Sequence, residues 1–68
     1  MIEQYQDFIR DVVITLHMNI KETGERKGFA EPEELSHIEA RLQAYHEVLS
    51  ILRDSATEFR IPKEELGL

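Results

Sequence analysis

The chain has 68 residues, no cysteine, and 8 Lys and Arg against 14 Asp and Glu, for a formal charge of −6. That length allows one domain near the lower size limit for independent folding, and the absence of cysteine excludes disulfides and thiolate metal sites as a staple. The acidic balance excludes a general polyanion binder, which needs clustered Lys and Arg, although it leaves room for a local basic strip.

The first residues, Met1-Ile2-Glu3-Gln4-Tyr5-Gln6-Asp7, lack the basic region and apolar core of a signal peptide. No apolar run approaches the roughly 20 residues that span a bilayer. The expectation is a cytoplasmic protein with no membrane partner. Apolar positions then recur three and four apart at Ile2, Tyr5, Ile9, Val12 and Leu16, with Asn19 and Thr23 completing the series. Phe8, Val13 and Ile20 widen the stripe. This spacing predicts a first helix over residues 2–27. Arg26 and Lys27 suit the negative end of its dipole. Gly24 is a competing stop, but Gly28 in the left-handed conformation, with Phe29 folding back as apolar cover, is the expected closure.

After a turn over 28–31, Pro32 is suited to the first position of a helix, and Glu33 and Glu34 place negative charge at its positive end. Leu35, Ile38, Leu42, Tyr45, Leu49, Leu52, Ala56 and Phe59 follow as unbroken heptads, predicting a second helix over 32–60. Pro62 should end it near Arg60, leaving a tail over 61–68 whose Leu66 and Leu68 return to the bundle. The short connection makes the helices antiparallel. Folding about Phe29 sets Leu42 near Leu16, Leu49 near Ile9 and Ile38 near Ile20. The fold class is therefore all-α, a single two-helix hairpin domain.

Two helices bury only the seam between them. Beside the seam, helix two carries Arg41, Ala44, Val48, Ile51 and Ser55, and helix one carries Phe8 and, further round, Ile14 and Met18. Each large apolar side chain left in water forgoes roughly 1.5–3 kcal/mol of burial. A homodimer of hairpins, forming a four-helix bundle, covers these strips. Its expected interface is Phe8, Arg41, Ala44, Tyr45, Val48, Ile51 and Ser55, with the small Ala44 and Ser55 admitting a close neighbour.

No catalytic, cofactor-binding or metal site is expected. Glu34 and His37 have E-x-x-H spacing, but a di-metal bundle site needs two such motifs and two further Glu in a core. Here the motif stands once, in a first helical turn where acids are favoured anyway. His46 and Ser50 lie four apart, yet a mid-helix hydroxyl has no oxyanion hole or orienting acid beside it. Asp7 and Asp11, like Asp54 and Glu58, read as a solvated face. Basic residues form thin lines: Arg10, His17 and Lys21 on helix one, and His46, Arg53 and Arg60 at heptad spacing on helix two. The second line is the candidate nucleic-acid strip, although Glu39, Glu47, Asp54 and Glu58 flank or interrupt it. Tyr45 and Asn19 occupy core positions, where they either fix register as buried polar groups or sit solvated at the rim.

In heptad layout the chain resembles the Rop family of plasmid-copy-number RNA-binding proteins, whose helical hairpins dimerise into four-helix bundles. That resemblance implies the dimeric bundle and, as an alternative function, an RNA-binding regulator; no RNA-contacting motif matches residue by residue, so no site is carried over. The stretch Arg41-Leu42-Gln43-Ala44-Tyr45-His46-Glu47-Val48-Leu49-Ser50, with the ending Ile61-Pro62-Lys63-Glu64-Glu65-Leu66-Gly67-Leu68, resembles small uncharacterised bacterial proteins and implies a bacterial source. The resulting expectation is a non-enzymatic interaction module or small adaptor, partnered by itself and by another protein.

Overall fold

A computed structural model describes residues 2–68, and side chains from residue 3 onward; Met1 and the side chain of Ile2, the first position of the apolar series, lie outside the described residues. Helix α1 spans Ile2–Arg26 and α2 spans Pro32–Glu58, followed by a 3₁₀ turn over Lys63–Leu66. A 25-residue helix is about 37 Å long. The whole chain measures 46 × 20 × 15 Å, so the helices lie side by side as a hairpin. No described helix is long and apolar enough to cross a membrane.

The two helices differ in how closely their cores follow the sequence pattern. On α2, Ile38, Leu49 and Ala56 are buried and Leu35, Leu42, Tyr45 and Leu52 are half-buried, as heptad spacing requires. On α1 the centre of the seam is displaced. Val13, expected at its edge, is the most deeply buried residue at 0% exposure, whereas Val12 is half-buried and Tyr5 is exposed. The seam thus runs Ile9, Val13, Leu16, Ile20, Thr23, again with alternating steps of four and three. It shares Ile9, Leu16 and Thr23 with the expected series but puts Val13 in place of Val12 at its centre, while Asn19 and Ile20 are both half-buried. The cause is a third element, the C-terminal tail, which covers the Val13 side.

The connection also closes differently from the expected glycine stop. The N–H groups of Lys27, Gly28 and Phe29 donate to the carbonyls of Gly24, Glu25 and Arg26 at 3.2, 3.3 and 3.1 Å. These three i→i+3 bonds tighten the last turn and satisfy terminal carbonyls without any left-handed residue. Gly28 accordingly lacks the positive φ expected of it. Phe29 folds back over nothing and stands 89% exposed. Glu31 then caps α2 with an extended backbone (φ −69°, ψ 156°) and no side-chain hydrogen bond, and Pro32 occupies the first turn.

Helix α2 stops at Glu58, two residues short of the expected boundary at 60, because the chain turns left-handed at Arg60 (φ 56°). The Ile61 N–H donates to the Ala56 carbonyl at 2.8 Å and the Arg60 N–H to the Thr57 carbonyl at 3.1 Å. This is the Schellman arrangement, with arginine where glycine is usual. Pro62 follows at once and prevents the helix from resuming. Phe59, the last expected core position, keeps its N–H on the Ser55 carbonyl at 3.0 Å but lies past the start of α1 at Ile2 and is 75% exposed.

The tail returns along its own hairpin. Leu66 is buried, Leu68 is half-buried, and the Arg10 Nε donates to the Glu65 carbonyl. A second left-handed stop at Gly67 (φ 78°) lets the Leu68 N–H reach the Lys63 carbonyl at 2.9 Å. Gly67 lies against α1 so closely that a Cβ there would sit 3.6 Å from Val13 Cγ1.

Candidate association surface

Antiparallel helices present two flanks, one on each side of their shared seam. With residues about 100° apart around each axis, Arg10 and His17 of α1 fall on the same flank as His46, Arg53 and Arg60 of α2. Tyr5, Phe8, Val12 and Asn19 fall on the opposite flank with Arg41, Val48 and Ser55. The contacts of the tail with Arg10 and Val13 fix its position on the first flank. The second flank has no covering element among the described residues except near Tyr5, which shares a cleft with Ile61, Pro62 and Leu66 of the tail.

Exposure follows that division except on the outer surface of α1, where Ile14 and Met18 are each 56% exposed, and in the tail, where Ile61 is 41% exposed. On the tail side, Val13 and Leu49 are excluded from water. On the open side, Tyr5 is 69%, Phe8 65%, Ile51 63% and Val48 41% exposed, with Phe59 at the end of the same face. Arg41, Ala44 and Ser55 are also exposed there, and Tyr45 is half-buried at the edge of the seam. The residues expected at a dimer interface therefore share one continuous face. Tyr5 and Phe59 join them, although their apolar spacing had placed both inside the hairpin. Two signals bear on these positions: three residues back from Ile9 the displaced seam reaches half-buried Gln6 rather than Tyr5, and Phe59 stands three residues before Pro62.

With large aromatic side chains contributing about 150–250 Å² each, the five exposed apolar residues leave on the order of 600 Å² on this face. The largest apolar patch of a typical monomer is about 300–600 Å², usually on a bigger protein. Toward the turn the same face becomes polar, with Asn19, Arg26, His37 and Arg41. The apolar area is thus concentrated in the half of the hairpin distant from the turn.

The basic residues have a different setting. The two thin lines of the sequence lie on one face, but the tail crosses it and adds Glu64 and Glu65 beside Lys63. Arg10 is engaged by the Glu65 carbonyl and pairs with Asp7 at 3.8 Å. Arg53 is half-buried, Arg60 forms the left-handed turn, and His46 is exposed. The face is mixed in charge.

Glu34 and His37 are both exposed in the opening turns of α2, and among the described residues no three His, Asp or Glu side chains form a group able to hold a metal ion. His46 and Ser50 are likewise exposed on the helix surface. A cleft of about 350 Å³ opens where Tyr5 and Ile9 meet Ile61 and Leu66, with Arg60 and Glu65 as its charged walls among the described residues. Asn19 and Tyr45 are half-buried, and no buried side-chain polar atom among the described residues lacks a hydrogen-bond partner. Both therefore sit at the rim, the second of the alternatives open from sequence. No protein-family model, curated protein or solved structure matches the chain.

Proposed function

We propose that the protein is a non-enzymatic interaction module that works as a homodimer of hairpins, a four-helix bundle whose polar outer faces engage another protein. The observation that carries this reading is the continuous apolar face opposite the tail, with Phe8, Val48 and Ile51 at its centre. Each partner of a standard-size complex contributes about 800 Å², and apolar side chains alone supply most of that here. A two-fold axis through the face lets the same patch meet itself, so assembly closes at two copies. The tail already occupies the other flank.

The direct test replaces Val48 and Ile51 together with Asp and follows mass and helicity by light scattering and circular dichroism. Buried unpaired carboxylates are expensive, so the dimer is expected to be lost, with the chain left monomeric or unfolded. Unchanged mass and helicity would remove Val48 and Ile51 from any interface.

A further inference from the structure

The open face carries information about how a second copy is oriented. Along α2 its residues read Arg41, Ala44, Val48, Ile51, Ser55 and Glu58, with steps of three, four, three, four and three. All six are exposed in the single hairpin. The series is symmetric in spacing about a point between Leu49 and Ser50, but its ends carry opposite charges.

That asymmetry distinguishes the two ways of pairing α2 with its copy. If the helices run parallel, each residue meets itself, so Arg41 faces Arg41 and Glu58 faces Glu58. If they run antiparallel about the midpoint, Arg41 faces Glu58 at both ends. Ala44 then meets Ser55, both small enough for close approach, and Val48 meets Ile51 at the centre. Opposite charges at the rim and apolar contacts at the middle form the ordinary anatomy of a self-complementary interface.

The position of the midpoint matters as much as the direction. Folding about Phe29 sets Leu49 beside Ile9, so Phe8 of α1 lies level with the midpoint and adds its exposed ring there. Tyr5 and Phe59 lie toward the open end, and the polar half of the face lies toward the turn. An axis at this level overlaps the apolar halves of two hairpins and leaves the two turns projecting at opposite ends.

We infer that the second copy docks antiparallel on this face, with α2 against α2 and the two-fold axis between Leu49 and Ser50. Arg41 and Glu58 select the direction, and Val48 and Ile51 form the centre. The inference rests on the homodimer proposed above. It further implies that each dimer presents two separated, solvent-facing turns, each bearing an exposed Phe29.

A single label at the turn reads the geometry. The chain has no cysteine of its own. Gly28→Cys is suitable because Gly28 lacks a positive φ and a Cβ there meets only the Glu25 carbonyl, at 3.7 Å. Nitroxide-labelled protein is examined by pulsed dipolar spectroscopy, with its mass measured on the same sample. At 1.5 Å per residue from midpoint to turn, the antiparallel dimer predicts a label separation of roughly 55 Å. A dimeric mass with a separation below about 30 Å would overturn the orientation and leave the dimer standing. A monomeric mass, with no dipolar coupling, would overturn both.

Discussion

Arg60 is the one non-glycine among the described residues with a positive φ, at 56°. The Schellman bonds from Ile61 to Ala56 and from Arg60 to Thr57 require that conformation if the tail is to reverse and bring Leu66 into the core. An L-residue in the left-handed region costs about 1–2 kcal/mol. Glycine removes that cost but adds about 0.5–1 kcal/mol of backbone entropy to be lost on folding. The net expectation for Arg60→Gly is a gain of about 0.5–1 kcal/mol. For a domain of this size that raises Tm by about 2–8 °C, compared at one protein concentration because association shifts apparent stability. Arg60→Ala is the control, since it removes the same charge and stem while keeping the Cβ that causes the strain. Thermal melts followed by circular dichroism should place Gly above wild type and Ala at or below it. Equal melting temperatures for the Gly and Ala variants would refute a left-handed turn at this position.

Three further substitutions probe packing and capping. Leu49→Ala removes a fully buried side chain and should cost about 2–5 kcal/mol in chemical denaturation, enough to unfold much of the population. Leu66→Ala should cost about 2–3 kcal/mol, near the low end because the tail edge can collapse toward the gap; a loss below about 0.5 kcal/mol would mean the tail does not pack on the hairpin. Glu31→Asp supplies the side-chain cap that α2 lacks and should stabilise by about 0.5–1 kcal/mol, read as an upward shift in Tm.

The parts of the fold that sequence made legible depend on local spacing. The heptads of α2 identified Ile38, Leu49 and Ala56, because a helix pairing with one neighbour buries the residues that recur every 3.5 positions. Pro32 and Pro62 marked where α2 begins and where the chain must turn, since each restricts backbone geometry directly. The displaced features depend on contacts remote in sequence. Val13 replaces Val12 at the core of α1 because Gly67, more than fifty residues later, lies against it. Phe59 leaves the core because the antiparallel register carries it past the start of α1, although its own N–H still bonds to the Ser55 carbonyl as in a helix. Gly28 suits a left-handed cap by residue type, yet three tightened turn bonds perform that task.

The association surface was legible to a similar degree. Phe8, Ala44, Val48 and Ile51 could be placed beside the seam from helical periodicity alone. Which flank remains open could not, because that depends on where the tail lies. The tail separates the basic line through His46, Arg53 and Arg60 from the apolar strip: it crosses the first and leaves the second uncovered.

The most direct measurement of self-association is the solution mass of the unmodified chain, by light scattering on a size-exclusion column over a wide concentration range. A homodimer through the open face predicts twice the 8.0 kDa chain mass, held over that range with high helicity. A folded species at the single-chain mass throughout would contradict it, and the face bearing Phe8, Val48 and Ile51 would then be free in the isolated protein.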